Sequence, residues 1–578
     1  MRPPPAPWMC PSCVRRSLAT TPRPLQPTAP YSTAPIQSST RRPIQLAIIG
    51  SGPAGFYSAY RLLKRLPDAR ITMFEKLPVP YGLARYGVAP DHPEVKKCTE
   101  TLETVARESP TNFHFAGNVP IGDGAGELPL AALVPHFDGL LFAHGASTDR
   151  RLGIPGEELS GVLSARDFVG WYNGLPALTP WALDLASVGE TAVVIGQGNV
   201  ALDVTRILLS PLAELRKTDI NEETLEALSR SRIREVKVIG RRGPLQAPYT
   251  IKELRELMQL PGVGFAPPPE SWDALMQVPR KQLPRQLKRI AELLEKGSPT
   301  PLTPESKAWQ LGYQRSPTAF LSQNGRDLDA VGFETTAYST PLASLLTSGD
   351  PQANLIALRA AKVHPTNVDK TLIHAGLAFR SVGYQSTPLP GLNEIGVPFD
   401  TTRHVIPNDG FGRVVSAPSP VHSSPERTGE GLRAQDVAAS LPRTTTVDAA
   451  AATGSGLGKG GIVPGVYVAG WVKRGATGVI ASTLEDAFAG ADVLAGDWAA
   501  GAAFLSSSSG EGHGGGGETG RQRGWEGVSG EISARGIRAV GWRGWEVIDA
   551  EERRRGVGRG KVREKMRSVT EMLEVLDR

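Results

Sequence analysis

The sequence predicts an α/β protein built from two Rossmann-like dinucleotide-binding domains, one inserted into the other. Three observations predict it. Short apolar runs alternate with helical stretches from residue 45 onward, the pattern of a doubly wound parallel sheet. Two glycine-rich turns, Gly50-Ser-Gly-Pro-Ala-Gly55 and Gly196-Gln-Gly-Asn-Val-Ala201, each join an apolar run to a helix-forming stretch. They stand roughly one domain's length apart, so each opens its own unit. The length of 578 residues accommodates about two to four domains. With 40% hydrophobic and 21% charged residues the chain can build sizeable cores, which excludes global disorder.

In the first unit, Leu46–Ile49 reads as a strand, Pro53–Leu66 as a helix and Ile71–Phe74 as a second strand. Gly50, Gly52 and Gly55 permit a tight turn and close approach of the backbone to a pyrophosphate at the positive helix N-terminus. Glu75 ends the next strand, where a carboxylate can accept hydrogen bonds from a ribose diol. An acid there disfavours a 2′-phosphate, so this turn suits FAD or NAD.

The second unit repeats the plan, with strand Ala192–Ile195, helix Asn199–Leu209 and strand Val236–Ile239. Alanine replaces the third glycine, a tolerated variant. This strand ends in Gly240-Arg241-Arg242-Gly243 rather than an acid. Two guanidiniums at that place can hold a 2′-phosphate by charge-assisted, bidentate hydrogen bonds. One site for FAD and one for NADPH is the reading that follows.

The leader accounts for the net charge of +6. Arg2, Arg15, Arg16, Arg23, Arg41 and Arg42 all precede residue 46, and the first acid is Asp68. The remainder is neutral, so the net charge argues nothing about nucleic acid, and no nucleic-acid partner is expected. An Arg-, Ser- and Ala-rich, acid-free segment over residues 1–43 has the composition of a mitochondrial transit peptide. Cys10 and Cys13 fall within it, leaving Cys98 as the single thiol beyond. This excludes a disulfide scaffold and a dithiol reductase, and no metal site is expected. No run reaches the roughly 18 apolar residues of a membrane-spanning helix. Val415–Gly461 and Leu505–Gly524 are low-complexity and are assigned no chemistry.

Three long segments carry a family resemblance: Gly82–Lys97 (GLARYGVAPDHPEVKK), Gly240–Glu256 (GRRGPLQAPYTIKELRE) and Gly470–Ala481 (GWVKRGATGVIA). Together they resemble the adrenodoxin reductase family of mitochondrial NADPH:ferredoxin oxidoreductases, from about Leu46 to Val414, again from Val463 to about Trp498, and in the tail at Trp542–Asp577. Ala476, Ala247, Pro248 and the two low-complexity insertions depart from the family pattern. The resemblance divides the chain into a transit peptide (1–43), an FAD-binding domain in two parts (44–143 and 373–500, with the insertion 415–461) and an NADP-binding domain (144–372). A low-complexity loop (501–530) and a family-like tail (531–578) follow.

The resemblance implies FAD contacts at Ala54, Glu75, Leu83, Val119, Trp471, Gly478, Val479 and Ile480. NADPH contacts are implied at Gln197, Gly198, Asn199, Val200, Arg241, Arg242, Glu253 and Gly478. Trp471 packs on or hydrogen-bonds the flavin, or else is a buried core tryptophan. His92 and Asp203 match positions that form a polar link near the flavin; a simple turn and a helix-surface acid are the alternatives. The implied reaction is hydride transfer from NADPH to FAD, then single-electron transfer to an acidic [2Fe–2S] ferredoxin, feeding iron–sulfur cluster, haem or sterol-type pathways. Such a partner calls for a cationic docking face, and Arg255 with Arg280, Lys281, Arg285, Lys288 and Arg289 offer one. The implied location is the mitochondrial matrix, with peripheral contact with the inner membrane left open. Two rival readings stay open: a flavin monooxygenase, and a sensor that binds both nucleotides without turnover.

Overall fold

The computed structural model describes residues 35, 42–178, 183–416, 461–505 and 523–578. The leader, apart from residues 35, 42 and 43, and most of both low-complexity segments, His513 included, lie outside the described residues. The first sheet has six strands, ordered from one edge as Arg413–Val415, Ile462–Val468, Gly139–Phe142, Gln45–Ile49, Arg70–Phe74 and Phe113–Ala116. All neighbours are parallel except the pair at the Arg413–Val415 edge. Strands buried on both faces read as continuous apolar runs, and residues 46–49 are buried throughout.

The second sheet is fully parallel, in the order Val162–Ser164, Leu377–Arg380, Thr191–Ile195, Glu235–Ile239, Lys307–Gly312, Val263–Ala266. Its strand at Leu377–Arg380 lies past residue 372, so the second unit runs beyond the boundary expected from sequence. A three-stranded antiparallel sheet, Arg315–Leu321, Ala330–Tyr338 and Val363–His374, is appended to it. The chain passes between the units twice, at Thr148–Asp149 and Tyr384–Gln385, and these crossings pair antiparallel as a short ribbon. The helix Trp525–Ala534 begins inside the stretch 501–530 read as loop.

Helices cover the sheets where apolar stripes allow. Pro53 starts the helix Pro53–Arg65, where a missing N–H costs nothing. Its inner face (Phe56, Ala59, Leu62, Leu63) packs along the helix Ile480–Ala499, which offers the small residues Ala487, Ala491 and Ala495. Arg61 donates through Nε and NH2 to Asp492 at 2.8 and 2.7 Å, a bidentate pair that fixes this register. Asp138, fully buried, accepts from Arg42 (2.6 and 2.8 Å) and from Arg523 (2.5 Å). This tie binds the first described residues and the segment after 522 to the same sheet end. No helix among the described residues is long and apolar enough to cross a membrane.

Candidate functional site

Both glycine turns stand at the carboxyl ends of central strands, where open α/β sheets bind ligands. Gly50 has φ +106°, and a Cβ there would meet Ala143 O and His144 Cα at 2.7 Å. Gly196 repeats this at φ +119°, with Ser381 O at 2.1 Å from the added atom. A Cβ on Gly55 would sit 2.2 Å from Gly50 O. The middle glycines differ: a Cβ on Gly52 meets nothing within 4 Å, and one on Gly198 meets only Pro248 Cγ at 4.0 Å. The outer glycines are therefore required by the fold, while the middle ones leave a cradle open. Neither helix N-terminus behind these turns receives a side-chain cap. Bare N–H groups at a positive helix end suit a phosphate, so the residues present fit two dinucleotides.

Around the first cradle, Glu75 accepts from Ser51 N (3.1 Å), Ser51 Oγ (2.7 Å) and Leu77 N (3.2 Å). Its carboxylate is thus oriented before any ribose arrives. Leu83 opens a short helix whose preceding residue, Gly82, approaches Gly52 closely: an added Cβ would lie 3.3 Å from Gly52 Cα. Val119 is wholly buried and its N–H donates to Glu75 O at 2.9 Å, so its side chain belongs to the core. Ala54 is buried against Gly470, where a Cβ would come within 2.6 Å of the alanine methyl.

The segment 470–480 closes that side. Gly470 N and Lys473 Nζ both donate to Asp486, at 2.7 and 2.8 Å. Trp471 is half-buried, donates Nε1–H to Thr477 O at 3.1 Å and meets Tyr384 edge-on at 5.7 Å. The alternative of a buried core tryptophan is not met. Gly478, exposed at φ +81°, is a glycine for a local reason as well: a Cβ would strike Ser482 Oγ at 2.3 Å. Val479 and Ile480 form the entry to the helix Ile480–Ala499.

At the second cradle the side chain of Gln197 is committed elsewhere, donating to Gly312 O (2.9 Å) and Val238 O (3.2 Å). Only its backbone remains for a nucleotide. Asn199 Oδ1 accepts from Thr250 N at 2.8 Å, tying the turn to the next helix, and Val200 lies half-buried beside it. Arg241 is exposed and forms no ion pair among the described residues; its carbonyl accepts from Thr336 Oγ1 at 2.6 Å. Arg242 is half-buried and donates NH1 to Arg359 O at 2.9 Å. Burial and then the charge of Arg241 pull the Arg242 pKa below its usual value. Two neighbouring guanidiniums, neither paired with a carboxylate among the described residues, leave an electrostatic demand that an anion would meet.

His92 and Asp203 do come together, with Glu253, their ligating atoms within 4.8 Å of one another. His92 does follow a turn, closed by its N–H donating to Ala89 O at 3.0 Å, and Asp203 is half-buried; both side chains nevertheless belong to a network that crosses between the two units. His92 Nε2 pairs with Glu256 at 3.0 Å and lies 3.7 Å from Glu253. Arg206, almost wholly buried, donates to Asp91 (2.5 and 3.1 Å), Asp203 (2.7 Å) and Glu253 (3.5 Å). The guanidinium lies on Asp203 and Glu253 as well as on Asp91, so each of these carboxylates already has a cationic partner. Burial alone would lower the His92 pKa, but the bond to Glu256 and the charges of Glu253 and Asp203 outweigh it and hold it above the ordinary value. Glu256 is correspondingly held low. Glu253, expected as a nucleotide contact, is 2% exposed inside this network. Sequence reasoning missed Glu256 and Arg206 as partners; their one signal was helical spacing, three residues past Glu253 and past Asp203.

Arg255, Arg285, Lys288 and Arg289 are exposed and form no ion pair among the described residues. The first lies on the helix Ile251–Met258 and the others on Arg285–Lys296. Arg280 differs: it pairs with Glu295.

Two dinucleotide cradles on linked parallel sheets define a pyridine-nucleotide oxidoreductase, and the profile of the Pyridine nucleotide-disulphide oxidoreductase family matches residues 44–259. Cys98 is the one free thiol among the described residues and is buried. The chain belongs, more narrowly, to the NADPH:adrenodoxin oxidoreductase family. It is 36% identical to the probable mitochondrial NADPH:adrenodoxin oxidoreductase of Schizosaccharomyces pombe, covering 94% of this chain and 97% of that one. It is 38% identical to the mitochondrial enzyme of Homo sapiens, over 93% of each chain. Among solved structures it resembles Mycobacterium tuberculosis FprA in complex with NADPH, with TM-score 0.71, 32% identity, and coverage of 92% of this chain and 99% of that one.

Proposed function

We propose that this chain is an FAD-dependent oxidoreductase that takes a hydride from NADPH and passes electrons singly to an acidic, adrenodoxin-like [2Fe–2S] ferredoxin. FAD, when bound, supplies the two-electron to one-electron conversion. The protein supplies binding, orientation and electrostatics. The turn Gly50–Gly55 takes the FAD pyrophosphate, Glu75 the ribose, and Trp471 with Gly478–Ile480 the ring end. The turn Gly196–Ala201 takes the NADPH pyrophosphate, and Arg241 with Arg242 its 2′-phosphate. His92 and Asp203, through Glu253, Glu256 and Arg206, hold the two cradles in register. The same reading keeps the leader 1–43, the two-part FAD-binding domain, the NADP-binding domain ending at the ribbon, and the tail 531–578.

The observation that carries this is the contrast between strand ends: a pre-oriented carboxylate at the first cradle and, at the second, an arginine pair with no carboxylate partner among the described residues. Arg255, Arg285, Lys288 and Arg289 form the ferredoxin docking face. We place the protein in the mitochondrial matrix, serving iron–sulfur, haem or sterol-type pathways. The test is anaerobic titration of the yellow protein with NADPH and with NADH, followed by addition of a [2Fe–2S] ferredoxin. Bleaching by NADPH at far lower concentration than NADH, and re-oxidation by ferredoxin, is the expected result. A colourless protein, or equal use of both nucleotides, refutes the reading.

A further inference from the structure

The C-terminal tail does more than cover the first sheet. After the helix Trp542–Val557 the chain turns at Gly560 and threads residues 561–567 between the two units. Lys561, Glu564, Lys565 and Met566 are all buried there, at 0–8% exposure. On the first unit, Glu552, wholly buried, accepts from Arg85 NH2 (2.5 Å) and from Met566 N (3.0 Å). On the second unit, Lys561 Nζ donates to Ile220 O (2.6 Å), Glu222 (2.8 Å) and Glu564 (2.8 Å), and Glu222 N donates to Glu564 (3.1 Å). Arg567 pairs with Glu223.

At the centre, Asp219 of the second unit accepts from two ammonium groups at once. One is Lys96 of the first unit, at 2.6 and 2.8 Å; the other is Lys565 of the tail, at 2.8 Å. Lys96 also donates to Asn173 Oδ1 at 3.1 Å. Two cations share one buried anion, so Asp219 is the keystone: taking it away leaves two buried ammoniums with no counter-charge, the costliest way to break a buried pair.

Lys96 belongs to a tongue whose ionisable groups reach across to the second unit. Asp91 meets Arg206, His92 meets Glu256, Glu94 meets Lys252 at 2.7 Å, and Lys96 meets Asp219. The short helix Pro93–Lys96 joins the outer end of this tongue, under the tail, to its inner end at His92 beside the second cradle. A displacement at Asp219 is therefore carried through one helical turn into the cluster that aligns the nucleotide sites. Packed interiors transmit such shifts rather than absorb them.

We propose that Lys96, Asp219 and Lys565 are positioning residues for hydride transfer, the tail acting as a strap that fixes the gap between the two nucleotide cradles. This rests on the oxidoreductase reading above. A shift of about 1 Å between reacting centres can cost on the order of a hundredfold in rate. Nucleotide affinity should be spared, because the Arg241–Arg242 end of the second cradle is not part of the strap.

The experiment uses the full chain carrying Asp219→Asn, Lys565→Met or Lys565→Arg. Expected for the first two are a yellow protein reduced normally by dithionite and a limiting rate of flavin bleaching at saturating NADPH slowed at least about tenfold. The half-saturating NADPH concentration should stay within about twofold, since the cradle is intact. New tryptic cleavage should appear within residues 559–567, and Lys565→Arg should recover most of the rate. If Asp219→Asn does not fold, Lys565→Met carries the test. A wild-type limiting rate in a protein whose strap is cleaved by trypsin overturns the proposal. So does a loss that appears wholly in half-saturation. Failure of the unmodified protein to bleach with NADPH would instead sink the oxidoreductase reading itself.

Discussion

Replacing Arg241 by alanine separates nucleotide choice from stability more cleanly than any other change at the second cradle. The side chain is exposed and forms no ion pair among the described residues, so its removal leaves no buried partner stranded. A hydrogen bond to a charged group is worth about 1.5–3 kcal/mol, and a bidentate guanidinium–phosphate contact lies at the upper end. A loss of about 2–3 kcal/mol corresponds to a roughly 30- to 150-fold fall in kcat/KM for NADPH. NADH, which lacks the 2′-phosphate, should be used no worse than before, so the preference collapses by the same factor. The melting temperature should stay within a degree or two, as surface changes usually do. Arg242→Ala should behave differently, because Arg242 also donates to Arg359 O and is half-buried. It should lower both the NADPH preference and the stability, the latter by about 1 kcal/mol for the lost hydrogen bond. Steady-state kinetics with both nucleotides and thermal melts of both variants decide it. If Arg241→Ala lowers NADPH and NADH activity equally, the arginine pair does not read the 2′-phosphate.

Three other outcomes follow from the same geometry. Gly52→Ala should fold with near-normal stability and purify with little flavin, because the new methyl meets no protein atom but occupies the cradle; Gly50→Ala should fold poorly, since its methyl strikes backbone. Absorbance and melting of the two variants test this, and a fully yellow Gly52→Ala protein would contradict it. His92 has its pKa raised in the folded state, so its contribution to stability is present below the unfolded value of about 6.5 and fades as pH rises through the folded pKa. The melting-temperature gap between wild type and His92→Ala should therefore be larger at pH 5.5 than at pH 8.5, and an unchanged gap would show that the Glu256 pairing does not couple to folding. Reversing Arg285 and Lys288 to glutamate should slow ferredoxin reduction, and wild-type turnover should fall steeply with salt while flavin bleaching by NADPH does not. Salt-independent ferredoxin turnover would remove the docking face.

Much of this was legible in the chain because both cradles are local. The strand–turn–helix units at 45–65 and 191–209 follow from apolar runs, glycines and a proline at N1, and the observed ends differ from expectation by one residue at most. The roles of individual side chains were less legible. Gln197 sits inside a fingerprint, yet its amide serves sheet carbonyls 41 and 115 residues away, which no local pattern encodes. The boundary at 372 was misplaced because Leu377–Arg380 is a short strand whose partners lie near 162 and 192. The ion pairs between the units, such as Arg206 with Asp91 or Lys565 with Asp219, join residues far apart in sequence and look from the chain alone like ordinary surface charge.

That distribution of charge bears on how a body with no net charge would serve the acidic partner proposed above. Acids and bases at the boundary between the units are used up on one another: Asp91, His92, Glu94 and Lys96 on the tongue, and Lys561, Glu564 and Lys565 on the strap, all have partners of opposite sign. The helix Arg285–Lys296 is built differently, with Leu287, Ile290, Ala291 and Leu294 buried and Arg285, Lys288 and Arg289 turned outward without acidic partners among the described residues. Neutralised charges within the boundary fix geometry without projecting a field, while unneutralised ones outside project a field without fixing geometry. The arginine pair at 241–242 belongs to the second kind, on a smaller scale: it is left without a carboxylate partner among the described residues, and so its field is available to a phosphate.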